Sequence, residues 1–317
     1  MIRLKLQISL VLVLISLSVN AQQIVMNSQY MFNDFAINPA VAGTKNYAPV
    51  TIDLRRQWTG IREAPAAQHL SYHGHVHKQI GAGGYFFNDV AGPVRRTGIM
   101  AAVSTQIATS YGTRLSFGVA GSFSQFVMDK TRIFTEEPDD ITVDRYLTNE
   151  MIPDLSFGLH WYGGYHHVGV SMHNLLQSKT DLFSVSLPVT STLDRAMYIT
   201  GSYLIGNKNS VIAVEPSAML RVMFNAPFTF DLNARVIYDH QFWAGASYRY
   251  KDAIALMVGF EKGMFGLGYS YDINTSGLRT YNSGSHELVL IFKTSKKSAG
   301  VQQWNQRNRV YDCPSFK

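Results

Sequence analysis

A single cysteine, Cys313, has no partner within the chain, so a disulfide framework is excluded. Charge is scarce too: only 16% of the 317 residues are charged, against 18 Phe, 17 Tyr and 4 Trp. That balance is the reverse of a disordered chain's. Long apolar runs are missing after residue 19, which removes the expectation of a membrane-crossing helix. Also absent are a phosphate-binding loop, a dinucleotide fingerprint and a metal-ligand motif, so no cofactor is expected.

The first residues read as an export signal. Arg3 and Lys5 precede an apolar stretch from Ile8 to Val19, and Val19-Asn20-Ala21 ends in the small residue that a signal peptidase requires. Residues 1–21 are therefore expected to be removed, and no Cys follows the cleavage point to carry a lipid. The net charge of +6 falls to +4 once Arg3 and Lys5 leave. Lys293, Lys296, Lys297, Arg307, Arg309 and Lys317 face only Asp312 in the last 25 residues, so residues 22–292 carry −1. A pI near 9.2 thus reflects a short basic tail, not a nucleic-acid-binding body.

What fills the rest of the chain is alternation with a period of two. Phe228, Phe230, Leu232, Ala234, Val236 and Tyr238 share one strand face, while Thr229, Asp231, Asn233 and Arg235 share the other. The same pattern predicts strands at 50–58, 68–76, 79–88, 95–108, 114–127, 152–162, 165–173, 195–205, 210–223, 228–238, 241–250, 253–261, 264–272 and 285–292. The polar faces are rich in small residues, and aromatics such as Tyr248, Tyr250, Tyr269 and Tyr271 gather at strand ends, as in membrane-interface girdles. Pro216 cannot donate to a ladder, so a bulge or kink is expected there. Tight connections, such as Gly163-Gly164 and Lys262-Gly263, alternate with longer ones at 128–151, 174–194 and 273–284, although two of the second kind are short.

A soluble two-sheet sandwich would also bury one face of each strand. The export signal, the even strand count, the aromatic ends and the loop asymmetry together point instead to an all-β, transmembrane antiparallel β-barrel of about 14 strands. Residues 22–48 carry Met31, Phe32, Phe35 and Ile37, too apolar for a free tail, and are expected to form an N-terminal plug or lid. The barrel then spans 49–292, and 293–317 is a short periplasmic C-terminal tail.

Candidate sites are few. His69, His73, His75 and His77 share one strand face, and no Cys or firm carboxylate completes a zinc site, so polar side chains of a lumen wall are the preferred reading. Ser71 and His73 stand two apart, a spacing that arises by chance. Glu136, Glu137, Asp139 and Asp140 read as a solvated acidic loop. Cys313 suits an intermolecular disulfide, a metal ligand or an inert thiol.

Several segments resemble the PorP/SprF family of type IX secretion system membrane proteins. They are Gln29-Tyr30-Met31-Phe32-Asn33, Ile37-Asn38-Pro39-Ala40-Val41-Ala42-Gly43, Arg56-Gln57-Trp58-Thr59-Gly60 with Ala64-Pro65, Gly81-Ala82-Gly83, Asn88-Asp89-Val90-Ala91-Gly92-Pro93 and Tyr311-Asp312-Cys313-Pro314-Ser315-Phe316. The resemblance implies an outer-membrane barrel of the fatty-acid-transporter-like class in a Gram-negative bacterium of the Bacteroidota. It also implies a part in secretion, gliding or surface attachment of adhesins and other large proteins that carry a type-B C-terminal sorting domain. It assigns positions, not chemistry: Asn38, Pro39, Ala40 and Gly43 to the plug, and Gln57, Trp58, Gly60 and Pro65 to the first strand and outer loop. Asn88, Asp89, Gly92 and Pro93 fall in the second outer loop, and Tyr311, Cys313, Pro314 and Phe316 in the tail.

The function expected is binding, without catalysis. Partners are the secreted protein, a periplasmic secretion or peptidoglycan-binding component and outer-membrane lipid, with both chain termini periplasmic and no nucleic acid involved. A transporter of hydrophobic small molecules, with an apolar pocket beside the plug and a lateral opening near Pro216, is the alternative on the same barrel.

Overall fold

The computed structural model describes residues 27–109, 112–129, 131, 147–180, 191–206, 210–223 and 226–294. After a short N-terminal segment the chain forms β1 (Ala48–Arg56), β2 (Ala66–His77), β3 (Ile80–Ala91), β4 (Val94–Ala108), β5 (Arg114–Asp129), β6 (Leu147–Tyr162) and β7 (His166–His173). Two short strands, β8 (Lys179–Thr180) and β9 (Ser191–Thr192), make a separate ribbon. The chain then resumes with β10 (Ala196–Tyr203), β11 (Ile212–Met223), β12 (Ala226–Tyr238), β13 (Phe242–Arg249), β14 (Ala253–Lys262), β15 (Phe265–Asn274) and β16 (Ser285–Thr294).

Fourteen of these strands form one closed antiparallel ring in chain order. Its seam joins β1 to β16, from Ala48↔Thr294 to Arg56↔His286. Each strand expected from the alternation overlaps one strand of the ring.

The two faces carry opposite chemistry, and that decides the surroundings. On β1, Thr51, Asp53 and Arg55 are buried, whereas Val50, Ile52 and Leu54 point outward. On β4 and β5 the outward Ile99 and Val119 are 60% and 59% exposed, while the inward Ser104 and Ser116 are buried. A sandwich in water would bury the apolar faces instead. An apolar exterior around a polar interior matches a bilayer outside the ring, and closure removes every unpaired edge. No helix among the described residues is long and apolar enough to cross a membrane.

Short turns lie at one end of the barrel, following β2, β4, β6, β10, β12 and β14. The other end holds the longer connections 57–65, 130–146, 174–195 and 275–284, together with the short ones 92–93, 224–225 and 250–252. These are called the short-turn and long-loop ends below. The turn at Gly92-Pro93 is shorter than expected because β3 runs on to Ala91. Asn88 and Asp89 are therefore strand residues, paired with Thr97 and Arg96, and not loop residues.

Two further expectations need correction. The register shifts between His75 and His77, so the extra residue Val76 breaks the common face and leaves His77 exposed. At Pro216 there is no bulge: the register with β12 is unbroken, Pro216↔Ala234. The ladder with β10 instead lapses between Ser202↔Ser217 and the isolated bridge Ile205↔Val214, as the missing proline N–H requires. The β11 irregularity falls between Arg221 and Met223.

Candidate functional site

The N-terminal segment folds as a string of short turns. Tyr30–Phe32 forms a 3₁₀ turn, Asp34–Ile37 one turn of α-helix, and Pro39–Val41 a second 3₁₀ turn. Asn38 caps the last, its Oδ1 accepting from the Ala40 N–H at 2.9 Å, and Pro39 sits where a missing N–H costs nothing. The cap side chain also ties the segment to the wall, since Nδ2 donates to the Leu159 carbonyl on β6 at 2.8 Å.

Contacts to strands all around the circumference place this segment inside the ring. Ser104 on β4 and Ser116 on β5 donate to the carbonyls of Ala42 and Ala40, each at 2.6 Å. Ser171 on β7 donates to the Ile37 carbonyl at 2.7 Å, and Tyr30 and Ser217 on β11 share a hydrogen bond at 3.2 Å. Apolar side chains fill what remains: Met31 and Phe32 pack with Trp243, Met257, Val289 and Ile291, and Phe35 with Val41, Met100, Ala102 and Ala120. The small residues of the polar faces now have a reason. A Cβ at Gly81 would lie 2.1 Å from the Ala42 carbonyl oxygen, one at Gly118 2.3 Å from the Ala40 nitrogen, and one at Gly158 2.0 Å from Asn38 Oδ1.

Toward the long-loop end the segment is held by charge. The N–H groups of Ser28 and Gln29 both donate to the Glu287 carboxylate, at 2.7 and 2.8 Å. Arg55 donates to Glu287 at 2.7 Å and to Asp272 at 2.6 Å, bridging the β1–β16 seam to β15. Arg249 continues the network to Asp231 at 3.1 Å and reaches Ser28 Oγ at 3.3 Å. Nearer the short-turn end, Arg235 pairs with Glu215 at 2.6 Å and lies 5.1 Å over the Phe32 ring. Within the segment, burial opposes ionisation of Asp34, but the Lys45 ammonium 2.8 Å away outweighs it and holds the carboxyl below the usual range. Burial raises the Tyr30 phenol above its ordinary value, so it stays protonated.

A cavity of about 160 Å³ lies between the segment and the long-loop half of β2–β7, β10 and β11. His69, Asp89, Arg96, Asp154 and His173 contribute its charged or titratable wall, and Tyr85, Phe87 and Tyr198 its aromatic wall.

The expected residues divide accordingly. Asn38, Pro39, Ala40 and Gly43 pack against the strands, Gly43 with φ +67° and its N–H 3.2 Å from His73 Nδ1. Gln57, Trp58, Gly60 and Pro65 lie in the connection after β1, where Trp58 donates its backbone N–H to Ser285 Oγ at 3.1 Å. Asn88 faces outward and accepts from Arg95 and Thr97, at 2.8 and 3.0 Å, whereas Asp89 faces inward and binds His69 at 2.9 Å. Gly92 and Pro93 form the β3–β4 turn. Ser71 donates to Asn33, and His73 meets Gly43, so the two are not joined as nucleophile and base. Among the described residues no group of three His, Cys, Asp or Glu side chains is placed to hold a metal ion. Glu136, Glu137, Asp139, Asp140, Tyr311, Cys313, Pro314 and Phe316 lie outside the described residues.

Sequence reading missed Arg55, Asp272, Glu287 and Arg249 as a unit. Their parity on the polar faces was the available signal, but only ring closure shows that residues 217 and 232 positions apart meet.

Among solved structures, the CymD monoaromatic hydrocarbon channel aligns over 86% of this chain and 94% of its own, at 12% identity and a TM-score of 0.49. A FadL homologue of Pseudomonas aeruginosa aligns over 84% and 94%, at 10% identity and a TM-score of 0.47. The outer membrane protein Omp33 of Acinetobacter baumannii aligns over 80% of this chain and all of its own, at 9% and 0.45. No curated protein matches the sequence. Residues 19–292, which include all but the last two residues of the barrel, match one family along their whole length: the chain belongs to the type IX secretion system membrane proteins PorP/SprF.

Proposed function

We propose that this outer-membrane barrel is a non-enzymatic docking platform. It binds a large secreted surface protein through that protein's C-terminal sorting domain, and retains it or helps to export it. The observation that carries the reading is the lumen itself. With segment backbone packed against Gly81 and Gly118, and the Asn38 side chain against Gly158, the interior is occupied by the protein's own chain, and the segment serves as a plug. Binding then falls to the long-loop end, which faces the cell exterior, while the short turns face the periplasm. The basic tail, 293–317, engages a periplasmic secretion or peptidoglycan-binding component through a salt-sensitive contact. A transporter of hydrophobic small molecules requires an apolar pocket beside the plug, and Asp89, Arg96 and Asp154 in the cavity weigh against it.

The test is purification of the tagged protein from native outer membranes in mild detergent. A large secreted protein bearing a type-B sorting domain is expected to accompany it. A solitary barrel carrying lipid overturns the reading. Deleting residues 295–317 should leave the barrel inserted and release only the periplasmic partner.

A further inference from the structure

Three inward arginines are neutralised. Arg55, Arg235 and Arg249 each hold a carboxylate within 2.6–3.1 Å. Arg96 does not. Its directly paired neighbour on β3 is Asp89, close enough in register for an ion pair, yet Asp89 takes His69 at 2.9 Å. The guanidinium lies instead 4.9 Å over the Phe87 ring, and its buried Nε has no acceptor. A second donor is in the same wall. Asn33 is 4% exposed; its Oδ1 accepts from Ser71 at 2.8 Å, but its Nδ2 has no partner. Both residues line the cavity of about 160 Å³, with Tyr85, Phe87, Met100, Tyr198 and Met219.

Buried donors without an acceptor are costly unless a ligand or water meets them. A planar guanidinium favours a planar, two-oxygen acceptor, and the aromatic and methionine wall favours an apolar body beside it. The volume is close to that of cavities that take benzene, about 150 Å³. Asp89 and Asp154, engaged by His69 and by the Leu176 N–H, oppose negative charge in the same wall, so Arg96 can offset no more than one carboxylate.

We infer that this cavity is a binding site for a monocarboxylate with a small, flat apolar body, anchored by Arg96 with Asn33 as second donor. The site stands independently of the docking reading. Such a carboxylate arrives either free in solution or at the end of a docked polypeptide.

The probe is benzoate, titrated calorimetrically into the full-length barrel in detergent, with benzyl alcohol and phthalate as controls. Saturable benzoate binding is expected, with neither control competing. Arg96→Gln should weaken it about tenfold or more, the loss of one charge-assisted hydrogen bond, and Arg96→Lys should retain part of it. Heat-modifiable gel migration establishes that each variant is folded. Absence of saturable binding to folded wild type, or unchanged binding to folded Arg96→Gln, overturns the inference. Displacement of benzoate by a peptide ending in a free Phe carboxylate, but not by its amide, assigns the ligand to a chain end. Failure of both peptides to displace it assigns the ligand to free small carboxylates.

Discussion

A methyl group at Gly118 has nowhere to go, because the nearest atoms are backbone of Pro39 and Ala40. Gly118→Val should therefore expel the segment locally, with an overpacking cost of about 1–3 kcal/mol, and leave the ring intact. Val41, 1% exposed, supplies the readout: as Val41→Cys in a Cys313→Ser background, it should react with a water-soluble maleimide faster once Gly118→Val is added. Gly121, outward on the same strand with nothing nearer than 4.0 Å to an added Cβ, is the control, and Gly121→Val should not change the labelling. Glu287 is the other critical single residue. Glu287→Ala strips the acceptor from two amides and from Arg55, a buried-network loss of about 3–5 kcal/mol. Hydrogen exchange at Ser28 and Gln29 should accelerate strongly in that variant and less in Glu287→Gln, which keeps an acceptor oxygen. Neither role was legible beforehand. Glycine on a polar face reads as small, but what it makes room for depends on a segment far away in sequence, 78 residues in the case of Gly118 and Ala40.

Among elements, the strands were readable because one physical rule governs each: side chains alternate, and the two sides meet different media. Phe228–Val236 keeps that alternation without interruption, and β12 follows it. Where the medium is not the deciding factor, the rule loses its hold. Asn88 is outward yet polar because it sits at the long-loop rim, hydrogen-bonded to Gln68, Arg95 and Thr97, so the pattern seemed to end there. The extra residue Val76 carries no Gly or Pro to announce it. The N-terminal segment has no period at all, since its turns are shaped by the cavity that they fill. Its contribution is separable from the ring: no strand pairing of the barrel involves residues 27–45. A variant lacking 27–45 should fold, judged by heat-modifiable migration, and show steady ion conductance in planar bilayers where the full-length protein is silent. Equal conductance of the two proteins would mean that the segment does not close the lumen.

For the molecule as a whole, the inverted distribution of polarity sets where the membrane lies. On β5 the outward positions are Leu115, Phe117, Val119, Gly121 and Phe123, followed by Gln125, which donates to Asn149 on β6 at 3.0 Å. Gln68, Asn88, Arg95 and Thr97 continue that polar collar across β2–β4. β4 and β5, at 15 and 16 residues, exceed the 9–11 or so that a tilted strand needs to cross, so the surplus projects beyond the bilayer at the long-loop end. Val119 then lies at mid-depth and Gln125 above the apolar belt. Arginine at the two positions, both outward on one strand, should separate by depth alone: about 2–4 kcal/mol for Val119→Arg and about 0–1 kcal/mol for Gln125→Arg. Reversible urea unfolding in lipid vesicles measures both. Equal costs would mean that the collar is not the membrane boundary, and the ring would have to be shifted along its axis until the depths agreed.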